Sequence, residues 1–146
     1  MYRIALVLSV LFLLTSTVLT QQAAAPAKAS PYSAIPIESV KASNPVKTSP
    51  ESLTRAKKWW TIDCEMCHGK EGNGKGETAK DMKLNMADFT NPDTLKDRTD
   101  GEIFYVIKNG HNDMPAEGNR VKTEENWDLV NYVRNFAKKK DAEAKQ

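Results

Sequence analysis

Apolar and polar residues divide this chain into four stretches. Arg3 is followed by an uncharged apolar run, Ile4–Leu14, and then by small and hydroxylated residues as far as Leu19 and Thr20. A basic start, a short apolar stretch and small residues after it describe an export signal over residues 1–25. Ala23 and Ala25 offer a cleavage site with Pro26 just beyond it, and Ala27-Lys28-Ala29 offers a second. Left uncut, the 16 residues Ile4–Leu19 fall just short of the about 17 that a membrane-spanning helix needs, so an N-terminal anchor is the alternative. On either reading the remainder of the chain is exported.

Residues 26–49 carry no apolar periodicity, and five of the seven prolines lie between residues 26 and 50, interleaved with Ala, Ser and Lys. Proline removes backbone donors and fixes φ near its extended value, so the pattern predicts a flexible, polyproline-like linker. A docking strand around Tyr32–Val40 is the alternative. Helical periodicity begins at residue 50. Ser49 is a helix N-cap with Pro50 at the first helical position, ahead of Leu53, Ala56, Trp59 and Trp60. Thr99-Asp100-Gly101-Glu102 is a capping-box pattern that opens a second helix through Ile103–Ile107, closed by Asn109-Gly110. A third opens at Thr123, with Glu124 and Glu125 in its first turn. It runs through Trp127, Leu129, Val130, Tyr132, Val133 and Phe136 to Lys138-Lys139-Lys140. Acids at its start and bases at its end suit the helix dipole, which also accounts for the lysine run. No segment alternates as a half-buried strand would. The predicted class is all-α, with a folded domain at 50–138 and a charged tail at 139–146.

Composition narrows the function. The chain has 146 residues and a net charge of +2, and residues 50–146 hold 17 Lys and Arg against 18 Asp and Glu. A near-neutral domain does not grip nucleic acid by bulk charge. Two cysteines exclude a disulfide-dense scaffold, seven glycines exclude a collagen, and one apolar run excludes a polytopic membrane protein. The 89 residues of the domain are few for a self-sufficient core, so something besides aliphatic packing is expected to complete it.

Both cysteines lie in Cys64-Glu65-Met66-Cys67-His68. Chance would place two cysteines at that spacing with His next roughly 2 times in 10,000, so the haem-attachment pattern C-x-x-C-H is specific. Two thiols on one helical turn can add to the two vinyl groups of a haem, which holds the following His68 under the iron. One ring nitrogen of that His must then be neutral, and the other needs an acceptor. Three other readings fit less of the pattern. A thiol–disulfide redox pair lacks a surrounding βαβ unit. A zinc site needs a fourth ligand, with only His111 left as a nitrogen donor. A structural disulfide leaves His68 unexplained.

A second axial ligand must come from Met66, Met82, Met86, Met114 or His111. Met66 lies inside the attachment turn and points away. Met82 and Met86, four apart, read as packing on a helix face. Met114 sits in the polar loop Gly110-His111-Asn112-Asp113-Met114-Pro115, where a thioether has little to pack on and proline stiffens the backbone beside it. Met114 is therefore the expected ligand. His111 is the rival, and otherwise a solvent-facing loop residue. Gly69–Gly76 nearly spells a phosphate loop, but Gly76 stands where Ser or Thr is required and no strand precedes it.

With Cys64, Cys67, His68 and Met114-Pro115 in place, residues 50–138 resemble a class I cytochrome c, a small monohaem electron-transfer protein. The resemblance implies three main helices around one covalently bound haem c. It implies iron held by His68 and Met114, and a close crossing of the first and last helices at Ala56, Trp60 and Tyr132. Ala56 stands where that family usually has glycine. The implied activity is outer-sphere one-electron transfer by a carrier rather than an enzyme, since six-coordinate iron has no open site. The implied partners are redox proteins of membrane respiratory complexes, met weakly around the haem edge. The expectation is a periplasmic monomer, soluble or tethered to the inner membrane through residues 4–19. The alternative is a haem subunit docked permanently in a larger membrane oxidoreductase, with the linker as its leash.

Overall fold

The computed structural model describes residues 32–143; the export signal, the membrane tether and the first part of the linker lie outside the described residues. Six α-helices follow in order, and among the described residues there is no strand, only a bridge between His111 and Met114. They are α1 (Ile37–Val40), α2 (Pro50–Trp59), α3 (Glu65–His68), α4 (Glu77–Asp81), α5 (Asp100–Asn109) and α6 (Thr123–Glu143). A π-turn, Trp60–Cys64, joins α2 to α3, and one 3₁₀ turn covers Pro92–Thr94. No helix among the described residues is long and apolar enough to cross a membrane.

Local chemistry starts and stops the helices as the sequence predicts. Ser49 caps α2 by accepting from the Ser52 N–H, with Pro50 in the first turn. Thr99 caps α5 in a full capping box with Glu102, and Gly110 ends it at φ +70°. The last helix does not stop at the lysines; α6 continues to Glu143, into the stretch expected to be a tail. The first helix also runs further than its apolar pattern, because the π-turn absorbs one extra residue and lets the rod continue to His68.

The core forms where α2 crosses α6. Ala56 is fully buried there, and Trp60 meets Tyr132 at 5.7 Å and Phe136 at 4.8 Å. Arg55 clamps the buried Asp128 with both Nε (2.7 Å) and Nη2 (3.1 Å), a fork that fixes the crossing. On the other side of α6, Trp127 stacks on Phe104 of α5 at 4.0 Å. Arg134 ties α6 to the start of α5 through Asp100 at 2.6 Å and to the Leu95 carbonyl at 3.1 Å.

The stretch expected to be a loose linker is packed from Tyr32 onwards, as a strap rather than a strand. Short helix α1 lies against α5, and Ala42 and Val46 pack onto the core. Asn44 donates to the Trp127 carbonyl (3.2 Å) and to Asn131 Oδ1 (3.0 Å), and Asn131 donates in return to the Val46 carbonyl (2.9 Å). The physical reason is side-chain polarity: a proline-rich chain short of backbone donors is held by asparagine amides instead.

Candidate functional site

Cys64, Cys67 and His68 come off the end of one continuous helical rod. Trp60 anchors that rod in the core, and the π-turn sets the phase of everything after it. The chain then turns back sharply through the glycine-rich segment 69–76, whose amides return to the rod: Gly74 donates to the His68 carbonyl (2.8 Å) and Gly76 to that of Cys67 (3.2 Å). The near-phosphate-loop is thus the cap of the attachment helix.

His68 is held by aromatic faces. Phe89 stacks on its ring at 5.1 Å with 24° between planes, and Trp60 lies tilted at 5.8 Å. The amide of Phe89 donates to the Gly72 carbonyl at 2.8 Å, which ties that ring to the glycine turn. Burial pushes the His68 imidazole down to about 4, so it is neutral at physiological pH and keeps a lone pair to donate. Its Nδ1 is buried without a hydrogen-bond partner.

Both cysteines are free and half-buried. The Cys64 thiol is pushed up to about 12, first by burial and then by the nearby Glu117 and Asp63 carboxylates. A thiol–disulfide catalyst needs the opposite, a lowered thiol pKa, so this geometry disfavours the redox-pair reading. Two thiols and a neutral imidazole with an unsatisfied buried nitrogen, on one continuous rod, form a donor set that fits a covalently attached haem.

Among the methionines, only Met114 packs against the core cluster within the described residues. Its loop is a tight turn in which the His111 amide donates to the Met114 carbonyl (3.0 Å) and the Met114 amide donates back (2.9 Å). Gly110 makes the turn fit, since a side chain there would start 2.6 Å from the Met114 carbonyl oxygen. His111 is half-buried in this turn, not solvent-facing. Met66 and Met82 are mostly exposed. The expected helix face for Met82 and Met86 does not form, because α4 ends at Asp81 and Lys83 adopts a left-handed conformation (φ +53°).

Several residues of the site carry no local signal in the sequence. Phe89 lies in a loop without periodicity. Asp63 and Glu117, both largely buried, meet through Arg120. Acid next to Cys64 and acid after Met114-Pro115 were visible as composition, but only the folded chain brings them together.

Residues 51–133 match the family described as Cytochrome C oxidase, cbb3-type, subunit III. Cytochrome c6 of Pyropia tenera is 31% identical over 81 residues, which is 56% of this chain and 88% of that protein. Cytochrome c6 of Pyropia yezoensis is 31% identical over the same length, 68% of its own chain. Among solved structures, a chain of the Kuenenia stuttgartiensis reducing HAO-like protein complex superimposes with a TM-score of 0.56 at 24% identity. That match covers 63% of this chain and 46% of the other, and shows a shared fold.

Proposed function

Because this chain belongs to the cytochrome c family, as a small monohaem c-type cytochrome, we propose that Cys64 and Cys67 attach one haem covalently and that His68 and Met114 are the axial ligands of its iron. The family implies haem c, which supplies a one-electron ferric/ferrous couple when bound. The protein is an electron carrier that works with redox partners. The observation that carries the ligand assignment is the buried, neutral imidazole of His68, with one ring nitrogen unsatisfied, at the end of the helix that holds both free thiols.

The chain's own contribution is positioning. Phe89 and Trp60 fix the plane of His68, and the Gly110 turn presents Met114 with its backbone already paired. A thioether ligand from Met114 beside the His68 imidazole would favour the reduced iron and raise the potential, as a carrier requires. The reading extends to an exported, periplasmic monomer in a respiratory chain, soluble or held at the inner membrane by residues 4–19. A second reading, a haem subunit docked in a larger oxidoreductase, draws on the oxidase-subunit description of the matching family.

Absorption spectra of the exported protein, oxidised and reduced, with Met114→Ala beside it, test the assignment. The expected result is a c-type haem spectrum with a sulfur-to-iron band near the red edge that vanishes in the variant. A haem spectrum in which the variant keeps the band would move the ligand elsewhere, and a protein without haem would return Cys64 and Cys67 to thiol chemistry. Purification with other subunits from native membranes would favour the second reading.

A further inference from the structure

The loop that carries Met114 leaves α5 at Gly110 and enters α6 at Thr123. Most of what ties it down belongs to its own helix: the Glu117 amide donates to the Ile107 carbonyl (3.1 Å) and the Gly118 amide to that of Lys108 (2.9 Å). Neither bond reaches the rod that carries Cys64, Cys67 and His68. Arg120 does reach it. Its Nη2 donates to Asp63 Oδ1 at 2.7 Å, across 57 residues of sequence, and its Nη1 stands 3.6 Å from Glu117 Oε2.

We propose that Arg120, Asp63 and Glu117 form a charge latch that closes the Met114 loop onto the attachment helix and sets how firmly Met114 holds its axial position. The proposal rests on Met114 being a ligand. Asp63 immediately precedes Cys64, and Glu117 follows Met114 by three residues, so the latch joins the segment that carries the thiols to the segment that carries Met114. The two carboxylates are almost wholly buried, with side chains 11% and 5% exposed, while Arg120 is 55% exposed. Asp63 Oδ2 and Glu117 Oε2 have no hydrogen-bond partner, so both anions depend on Arg120 for compensation. Burial and the neighbouring Asp63 raise the Glu117 pKa and Arg120 opposes the rise, which is the pattern of two acids kept together by a shared cation. Without that cation the acids repel, and the loop gives way before the helix does, since the helix is anchored through Trp60 in the core. Arg120 is thus a positioning residue, whose side chain meets Asp63 and Glu117 and acts on Met114 only through the loop.

Imidazole competes with a weakly held thioether for ferric iron, so titrating the holo-protein with imidazole while following the sulfur-to-iron band reads the hold of Met114 directly. Arg120→Gln is expected to need at least about tenfold less imidazole for half-displacement, because it leaves two buried acids unpaired. Arg120→Lys restores the charge and is expected to recover most of the loss, with the far-ultraviolet circular dichroism of both variants unchanged. Should Arg120→Gln not accumulate as folded protein, Asp63→Asn removes the charge on the helix side of the same bridge and leaves Arg120 paired with Glu117 alone. Unchanged imidazole affinity in the variants, with the band present in the wild type, overturns the latch alone. A parallel loss of helix signal and band overturns it as well, by making the triad a general support. A wild-type holo-protein without the band overturns the Met114 reading and the latch with it.

Discussion

The Asp88 carboxylate accepts from the Thr90 amide at 2.9 Å and from its hydroxyl, and its own carbonyl accepts from the Thr94 hydroxyl at 2.6 Å. This local knot sits beside Phe89, the ring that stacks on His68, so a short polar loop helps to place that stack. The Thr90 side chain, more than any other group, holds the Asp88 carboxyl below its ordinary value of 3.8, and Lys140 and Lys75 add to the effect. A carboxyl with a depressed folded pKa stabilises the fold above its unfolded pKa and loses that contribution as pH falls through the folded value. Asp88→Asn is therefore expected to be less stable than the wild type at neutral pH, with the gap closing below about pH 4 as the wild-type group takes up its proton. Denaturant midpoints of both proteins across that range check this. A gap that does not change with pH would place the effect in hydrogen-bond geometry rather than in charge. At this scale the sequence is half legible. Cys64, Cys67 and His68 announce themselves by spacing, because the proposed attachment of a haem by two thiols would demand it. Phe89 does not, because nothing within its own loop needs it to be aromatic.

The strap over residues 32–49 shows how one element is built to receive another. Thr99 both caps α5 and donates from its hydroxyl to the Val40 carbonyl at 2.8 Å. Gly101, in the first turn of α5, has no side chain where a Cβ would stand 1.9 Å from the Ser39 carbonyl oxygen. The Arg98 guanidinium lies 4.5 Å from the Tyr32 ring, closing the contact at its N-terminal end. Truncating Asn44 to Ala leaves Asn131 Oδ1, the Trp127 carbonyl and the Val46 N–H short of a partner, and is expected to cost about 1–3 kcal/mol. Gly101→Ala is expected to lift the strap outright, so that protease cuts before Pro50 while the helices beyond it survive. Equal cleavage of wild type and variant would show that the strap is held by something else. Caps and periodicity made α2, α5 and α6 readable, since those signals are local. The strap was read as a spacer because proline suppresses local structure, and its partners Trp127 and Asn131 lie more than 80 residues away. The π-turn escaped for a similar reason: the one-residue excess in Trp60–Cys64 is forced by where Trp60 packs, not by any propensity of the five residues.

For the molecule as a whole the question is whether the protein part can stand without its cofactor. The aromatic crossing of α2 and α6, the Arg55–Asp128 fork and the Phe104–Trp127 stack form a contiguous core on one side. On the other side the residues that would enclose a haem are only half-buried: Cys64, Phe89 and Met114 all pack at the rim of that core rather than inside it. Two of the orphaned buried polar atoms, His68 Nδ1 and Trp60 Nε1, lie along the same rod, and each unsatisfied buried group costs of order 1–3 kcal/mol. A domain this small buries too little surface to carry such defects, and a ligand that binds only the folded state adds stability by mass action, or permanently when covalent. Replacing Cys64 and Cys67 together by Ala is therefore expected to yield an apoprotein with most of its helical circular dichroism lost and no sharp thermal transition, and any residual signal would come from the long α6. The wild type should instead unfold cooperatively, with its haem and helix signals falling together. A double variant that still melts cooperatively would mean that the crossing and the strap suffice, and that the haem is added to a finished fold.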